Sequence, residues 1–230
     1  MNFSDKFEVV FEDNHLIIVN KSSGILVQGD ETGDKALPDY IKDYLRIKYN
    51  KPGNIFAGVV HRLDRPVSGL VVVAKTSKAL ERMNEIFRER RVEKVYWAIV
   101  GNKPPELSGK LVHWMKKDGR INVSRTYDNQ IKDSLRAELD YQMVGKSGDL
   151  YLLEVNPHTG RHHQIRSQLS SMGCPIKGDV KYGFSEKNAD HSICLHARRL
   201  KFIHPVKKEP IELIAGLPGS GAWGKFKMFE

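Results

Sequence analysis

The densest group of reactive side chains in the sequence is His61-Arg62-Leu63-Asp64, which is followed at once by Arg65 and soon after by an apolar run. A carboxylate held beside guanidinium groups stays ionised, and an ionised carboxylate can act as a nucleophile or as a general base. An aspartate between two arginines is more often a solvated surface ion pair. These residues alone therefore make Asp64 a candidate catalytic carboxylate without excluding that alternative.

A second charged segment, His158–Arg166, has the sequence HTGRHHQIR. Gly160 allows a tight turn from a strand into a helix. Arg161 and Arg166 place positive charge at the start of that helix, where the helix dipole disfavours it, so an anionic partner is expected there. His162 and Arg166 are four residues apart and would share one helix face. A basic surface helix that needs no partner is the alternative.

A third segment ends in Lys94-Val95-Tyr96, at the beginning of an apolar run that continues to Val100. A tyrosine at the start of a strand is most often a packing residue. It becomes a functional candidate only if its ring or its hydroxyl group faces a pocket. The residues around Tyr96 leave both alternatives open.

Several further side chains are potential metal ligands, namely His158, His162, His163, Cys174, Cys194 and His196. Their spacings match no standard zinc pattern, and neither cysteine lies in a CxxC pair. Neighbouring residues on a helix point in different directions, so His162 and His163 are expected not to chelate one ion together. We therefore expect no metal, and in a reducing compartment the two cysteines should be buried free thiols.

The composition indicates a basic protein that can bury a sizeable core. The chain has 230 residues, 40% of them hydrophobic, and 37 lysines and arginines against 28 acidic residues, which gives a net charge of +9. The positive excess favours a nucleic-acid partner, although charge alone is equally compatible with a basic protein of another kind. No stretch approaches the roughly 18 apolar residues of a membrane span. Residues 1–11 lack the pattern of a signal peptide, so we expect a cytoplasmic protein.

The reactive segments must be positioned by short strands and a few helices. Apolar and alternating runs predict strands at Phe7–Phe11, Leu16–Val19, Leu70–Ala74, Val95–Val100, Leu135–Met143, Leu150–Val155 and Ile193–Ala197. Helical spacing predicts helices over Pro38–Tyr49, from a cap at Thr76 or Ser77 to Phe87, and over Ile165–Met172 before Gly173. Strands outnumber helices and do not alternate with them regularly, which favours an α+β fold. No linker divides the chain, so residues 1–230 are expected to form a single catalytic domain.

Taken in order, these motifs resemble the RluA-type family of RNA pseudouridine synthases. The resemblance covers most of the chain, about Phe7 to Leu217. It rests on HRLDR, SGL and AK between His61 and Lys75, on Lys94-x-Tyr96, on TGR-x-HQIR from Thr159 to Arg166, and on GD-x-x-Y from Gly178 to Tyr182. It implies a mixed, mostly antiparallel central sheet with flanking helices and loops, and an active-site cleft across the sheet.

The resemblance also implies roles for individual residues. Asp64 matches the catalytic carboxylate, Arg166 its arginine partner, and Tyr96 the aromatic residue that lies against the uracil. Arg62 matches a residue expected to enter the RNA stack when the base leaves it. Further RNA contacts are expected among the neighbouring residues of these motifs, namely His61, Arg65, Lys94, Arg161, His163 and Gln164.

Some positions depart from the family pattern. The usual Lys-Pro-x-Gly reads Lys21-Ser22-Ser23-Gly24, and a usual threonine is Val67. His162 replaces the threonine of TGR-T-HQIR, which is expected to alter a contact to RNA or to the Asp64 loop. Many relatives carry an additional small N-terminal RNA-binding domain, and this sequence resembles the short form without it.

The resemblance implies isomerisation of uridine to pseudouridine in ribosomal RNA, transfer RNA or both. The N1–C1′ bond breaks, the base rotates and a C5–C1′ bond forms, so no redox change occurs and no cofactor is expected. The target base must leave its stack, which costs about a few kcal/mol. Asp64 would add to a carbon or abstract a proton. The alternatives are a non-catalytic RNA-binding paralogue and a metal-dependent hydrolase. A monomer is expected because no interface stripe is evident.

Overall fold

The computed structural model describes residues 3–219 and 221–230, which form two compact units. The first unit contains the residues up to Glu93 together with Ala197–Gly216, and the second contains Lys94–His196 together with the residues from Leu217 onward. The expectation of a single catalytic domain stays a prediction.

The helices and strands follow one another in an irregular order. The first part of the chain contains β1 (Phe7–Glu12), β2 (Leu16–Lys21), α1 (Leu37–Tyr49), β3 (Gly58–Val59), β4 (Ser68–Ala74) and α2 (Ser77–Arg88). The remainder contains β5 (Val92–Val100), β6 (Ser108–Asp118), β7 (Val123–Tyr127), β8 (Leu135–Ser147), β9 (Leu150–Pro157), α3 (Gln164–Ser171), β10 (Leu195–Ile203) and β11 (Pro210–Ile214). Short 3-10 helices occupy Val180–Tyr182 and Gly221–Phe229.

The first unit is built around β4, whose seven residues are all buried. β2 pairs antiparallel with both β1 and β4, and β3 pairs with the end of β4. Helix α2 covers this layer with an apolar stripe, because Ala79, Met83 and Ile86 are buried. Thr76 caps the helix by accepting a hydrogen bond from the Ala79 amide at 3.2 Å, as predicted.

The glycine of the SGL motif is required by a close approach of two strands. Gly69 has a φ of 115°, and a Cβ atom there would lie 2.4 Å from the backbone nitrogen and oxygen of Ala197 in β10. Only glycine tolerates both this backbone conformation and this approach. The position fixes the start of β4, directly after the loop that carries Asp64.

The second unit is an antiparallel sheet with strand order β5-β9-β8-β6-β7. Strands β8 and β9 form the hairpin that their alternating sequences predict. The C-terminal residues pack onto this unit, with Trp223 and Phe226 buried and the ring of Phe229 lying against Gly145, where a Cβ atom would be only 2.2 Å away.

Most predicted elements are present, with bounds that differ by a few residues. The strands β3, β6, β7 and β11 were not predicted, and β5 begins at Val92 rather than Val95, so Tyr96 lies within the strand and not at its start. Cys174 and Cys194 are buried free thiols as expected, and burial raises the pKa of Cys194 to about 11. Within residues 3–219 and 221–230, no helix is long and apolar enough to span a bilayer.

Candidate active site

Asp64 lies in the loop between β3 and β4 and is half-buried. The loop is anchored on both sides of Asp64, because Leu63 and Val67 are buried. The Val67 amide donates to the Asp64 carbonyl oxygen at 3.0 Å, which closes a turn. The sequence therefore presents Asp64 from a constrained loop and not from an exposed, mobile one.

The two arginines that flank Asp64 do not form ion pairs with it. Arg62 donates to the Oε1 atom of Gln28 at 2.9 Å. Arg65 donates to the carbonyl oxygen of Gly24 at 3.1 Å and forms an ion pair with Asp34 at 2.7 Å. The sequence alone favoured a surface ion pair between Asp64 and a flanking arginine. Neither Arg62 nor Arg65 forms that ion pair.

Lys21 is completely buried at the end of β2. The sequence did not indicate it as a site residue. Its Nζ atom donates to the carbonyl oxygens of Ser22, Ile25 and Arg65 at 2.9, 3.0 and 3.4 Å. Three acceptors match the three hydrogens of an ammonium group. Burial lowers the pKa of Lys21 to about 7, and the nearby charge of Asp64 acts in the opposite direction. Lys21 therefore ties the loop that carries Asp64 to β2 and lies close enough to Asp64 for their charges to interact.

His61 and Arg62 line a cavity of about 440 Å³ together with Gln28, Val59 and Val60. The His61 ring stacks on Phe87 with a centroid distance of 4.8 Å, and its Nε2 atom accepts the Val72 amide at 3.1 Å. This contact leaves Nδ1 as the protonated nitrogen of a neutral ring. The structure thus gives His61 a structural part, and its contact with RNA stays a prediction.

Arg166 is a buried cation of the second unit that is held by an ion pair. Its Nε and Nη2 atoms donate to the two carboxylate oxygens of Asp179 at 2.7 and 2.9 Å, and both side chains are buried. The guanidinium group also lies over the ring of Tyr182, 5.0 Å from its centroid. A bidentate pair of this kind fixes the plane of the guanidinium group. Asp179 and Tyr182 belong to the GD-x-x-Y motif, so this motif holds the arginine of the TGR-x-HQIR motif.

The turn before α3 is held together by Gln164, which is only 4% exposed. Its Oε1 atom accepts from the Thr159 hydroxyl group at 2.7 Å and from the Arg161 amide at 3.0 Å. Its Nε2 atom donates to the Glu138 carbonyl oxygen of β8 at 3.0 Å. Every polar atom of this side chain is therefore used inside the protein, and the RNA contact predicted for Gln164 stays a prediction.

The expectation that His162 and His163 diverge is wrong, because their rings stack with a centroid distance of 3.7 Å. Both residues precede α3, which begins at Gln164, and His163 has the left-handed φ of 53°. The helical geometry assumed for the pair therefore does not apply, nor does a shared helix face for His162 and Arg166. His162 bonds through Nδ1 to the Ser124 hydroxyl group at 2.9 Å, and His163 through Nδ1 to the Tyr182 hydroxyl group at 2.9 Å.

Tyr96 lies in β5, opposite Val155 of β9, and is half-buried. Lys94 lies two residues earlier and therefore points to the same side of the strand. Both residues are in the second unit, whereas Asp64 is in the first. The convergence of Asp64, Tyr96 and Arg166 in one pocket stays a prediction.

No metal centre is evident among residues 3–219 and 221–230, since no group of three histidine, cysteine, aspartate or glutamate side chains converges there. The stacked pair of His162 and His163 uses its Nδ1 atoms for Ser124 and Tyr182. These nitrogens are consequently engaged in hydrogen bonds within the protein.

Residues 15–171 match the sequence model of a family described as RNA pseudouridylate synthase. The chain is 34% identical over 224 residues to ribosomal large subunit pseudouridine synthase D of Zymomonas mobilis, covering 92% of this chain and 69% of the relative. It is 29% identical to tRNA pseudouridine synthase C of Vibrio cholerae, covering 91% of each protein. The chain spans about two thirds of the length of the ribosomal relatives.

The fold is similar to that of a solved human protein, RNA pseudouridylate synthase domain containing 4. The two structures have a TM-score of 0.76 at 24% sequence identity, and the match covers 92% of this chain and 88% of the human one. At this level of identity the likeness establishes the fold, and the predicted α+β class is confirmed.

Proposed function

Because the chain belongs to the family of RNA pseudouridylate synthases, we propose that it converts uridine to pseudouridine in ribosomal or transfer RNA, with Asp64 as the catalytic carboxylate. The observation that carries the role of Asp64 is its setting. It is a half-buried carboxylate on an anchored loop, its flanking arginines are directed elsewhere, and the buried ammonium group of Lys21 lies near it.

The reaction requires a carboxylate in its ionised form. Asp64 either adds to a carbon of the nucleotide or removes a proton from it while the N1–C1′ bond breaks. The released base rotates and forms the C5–C1′ bond, and the C5 proton leaves at the end. Lys21 supports either step because it anchors the loop that carries Asp64 through the Arg65 carbonyl oxygen.

Arg166 and Tyr96 complete the proposed machinery. We assign Arg166 as the partner of the Asp64 carboxylate and Tyr96 as the aromatic residue against the uracil. The rigid hold of Asp179 and Tyr182 on Arg166 supports this assignment, because a guanidinium group with a fixed plane can orient a carboxylate. Tyr96 is half-buried within β5, whose pairing with β9 holds its backbone in place.

The RNA contacts follow from exposure and charge. Arg62 and Arg65 are exposed beside Asp64 and can reach phosphate groups, while Lys94 and Arg161 are half-buried. Arg62 is also the residue proposed to fill the stack when the base leaves. A cytoplasmic location and a monomeric state belong to the same proposal, and light scattering on the purified protein tests the latter.

The test of the catalytic role is Asp64→Asn, which removes the charge and keeps the shape. RNA that carries tritium at C5 of its uridines releases tritium when pseudouridine forms. The wild-type protein should release it, and Asp64→Asn should lower the rate by at least about 10³-fold, since the carboxylate acts in the bond-breaking step. RNA binding should change by less than about threefold, because the substitution leaves the cationic side chains in place.

Asp39→Asn is the matched control, because Asp39 lies on α1 and forms only a surface ion pair with Lys42. This control should retain the wild-type rate. Substantial tritium release by purified Asp64→Asn would contradict the role of Asp64. RNA binding without release by the wild-type protein would favour the non-catalytic alternative.

A further inference from the structure

The hairpin of β6 and β7 forms the edge of the second unit's sheet and carries an unusual set of side chains on one side. Trp114 pairs with Tyr127 across the two strands, and Lys116 pairs with Arg125 next to them. Residues two apart in a strand share one side, so these four side chains form one surface, called here the hairpin face.

The opposite side of the hairpin is part of the core. Met115 and Ser124 are buried, and the Ser124 amide donates to the Tyr182 hydroxyl group at 2.8 Å. Ser167 of α3 donates to the Ser124 carbonyl oxygen at 2.8 Å. Because this side is fixed to α3 and to Tyr182, the hairpin face must point away from the core.

The pair of Lys116 and Arg125 brings two like charges directly opposite each other, which destabilises an antiparallel sheet. Lys116 has only a distant, exposed carboxylate, that of Asp133 at 3.5 Å. Throughout the described residues, Lys117, Arg120 and Arg125 form no ion pair. Repulsion between like charges costs free energy of folding. Because these cations have no carboxylate partner in the described part of the chain that offsets the repulsion, we infer an anionic partner outside the chain.

Several other cations on the strands of this protein form ion pairs with carboxylates. Lys110 and Arg136 both pair with Glu138, and Arg199 pairs with Glu212 at 2.9 Å. Carboxylates therefore accompany these three strand cations. By comparison, the hairpin brings together several cations that have no such carboxylate among the described residues, which makes it a local concentration of positive charge.

The hairpin also borders an open depression in the surface. A cavity of about 510 Å³ is lined by Lys116, Lys117, Asp118, Gly119, Arg120, Arg125 and Tyr127. Its one carboxylate is used in the turn, where Asp118 accepts the Arg120 amide at 3.1 Å. Four cations, an aromatic ring and a volume of this size suit a phosphodiester with its ribose.

We propose that the hairpin face and this cavity bind the ribose–phosphate backbone of the substrate RNA, as a contact additional to the residues that handle the target uridine. The inference rests on the proposed function, which supplies RNA as the ligand. Strand β7 is four strands from β5, which carries Tyr96. At about 4.8 Å per strand the hairpin lies roughly 19 Å from β5, the distance of several nucleotides along an RNA strand.

The test compares Lys116→Gln/Arg125→Gln with the control Arg199→Gln/Lys201→Gln. Both double variants remove two strand cations, but those of the control have carboxylate partners, Glu212 at 2.9 Å and Glu93 at 3.6 Å. Binding of a fluorescently labelled transfer RNA transcript is followed by anisotropy over a series of salt concentrations. The hairpin variant should bind about tenfold more weakly, and the slope of log K against log salt should fall by roughly 1 to 2. The control should change the affinity by less than about twofold.

Two further measurements separate binding from a structural role. The Tm of Arg125→Gln should be unchanged or higher, because the substitution removes a like-charge contact. The hairpin variant should raise KM in the tritium assay and leave kcat at saturating RNA within about twofold, since the hairpin does not touch the reacting uridine.

Equal losses of affinity in the hairpin variant and the control would overturn the proposal, as would a clear fall in the Tm of Arg125→Gln. The binding measurement needs no turnover. A protein that binds RNA through the hairpin but releases no tritium would therefore contradict the proposed function alone. An active protein whose affinity is unchanged by the hairpin variant would contradict the hairpin proposal alone.

Discussion

At the scale of single residues, the surroundings of Asp64 differ from those that its neighbours in sequence suggest. The flanking Arg62 and Arg65 bond to other groups, whereas Lys21 comes from a strand about forty residues away. A buried cation interacts with a carboxylate more strongly than an exposed one, because water screens it less. Lys21 therefore contributes to the electrostatic environment of Asp64 from the core of the first unit.

Lys21→Met tests this account, because methionine fills a similar volume without the charge. Since folding lowers the pKa of Lys21 from 10.5 to about 7, the unfolded chain holds a proton that the folded one releases above pH 7. The free energy of unfolding of the wild-type protein should consequently rise from pH 7 toward pH 10 through this residue, and Lys21→Met should lack that rise. Urea denaturation at several pH values measures it.

The same variant should lower kcat by about 100-fold, because the Arg65 carbonyl oxygen keeps only the Gly24 amide as a donor and the loop that carries Asp64 can shift. Lys42→Met on the surface of α1 is the control and should leave both quantities unchanged. A Lys21→Met protein with the wild-type pH profile of stability would show that the lysine is not held in its buried position.

At the scale of the elements, the loop that carries Asp64 depends on the register of β4, and Gly69 tests that dependence. Gly69→Ala would place a Cβ atom 2.4 Å from the Ala197 backbone at a φ of 115°. We expect a loss of about 3 kcal/mol in the free energy of unfolding, from overpacking and backbone strain together. Gly53→Ala meets nothing within 4 Å and should change stability by less than about 1 kcal/mol. Equal denaturation midpoints for the two variants would exclude the close approach.

The elements that the sequence predicts are those with an apolar side. β4 is buried throughout and α2 has a buried stripe. The apolar run of β4 and the helical spacing of apolar residues in α2 can therefore be recognised in the sequence. β6 has one buried residue, Met115, among eleven, and its exposed side carries lysines. β11 begins with Pro210, which favours a turn in the sequence. These strands form because neighbouring strands offer backbone partners, and local sequence does not contain that information.

The candidate site shows the same limit. Motif order predicts Asp64, Tyr96 and Arg166 as site residues, yet it does not reveal that Asp179 and Tyr182 hold Arg166 or that Lys21 is buried beside the loop. Those contacts join segments that are separated along the chain, and they depend on which strands pair. The stacked rings of His162 and His163 were missed for a different reason. The prediction assumed that both histidines lie on a helix, whereas α3 begins only at Gln164, which changes where each side chain points.

At the scale of the whole molecule, the family and the α+β fold predicted from the sequence are confirmed. The net charge of +9 suits a polyanionic substrate but cannot distinguish one RNA from another, because every RNA offers the same phosphate backbone. The relatives carry names that refer to both ribosomal and transfer RNA. Selection of the target uridine must therefore come from the shape of the RNA, which decides whether its backbone can reach the hairpin face.

Cells that lack the gene for this protein would show which RNA the protein modifies. If the chain modifies ribosomal or transfer RNA, pseudouridine should disappear from one or a few uridines in these RNAs and remain at all other modified positions, because each modified position requires its own recognition. Mapping of pseudouridines by chemical labelling and sequencing of total RNA measures this.

Reintroduced wild-type protein should restore the missing positions, and Asp64→Asn should not. The hairpin variant Lys116→Gln/Arg125→Gln should restore them only when it is produced in excess, since its deficit is in affinity. An unchanged map in both classes of RNA would contradict the proposed substrates, and restoration by Asp64→Asn would contradict the catalytic role of the carboxylate.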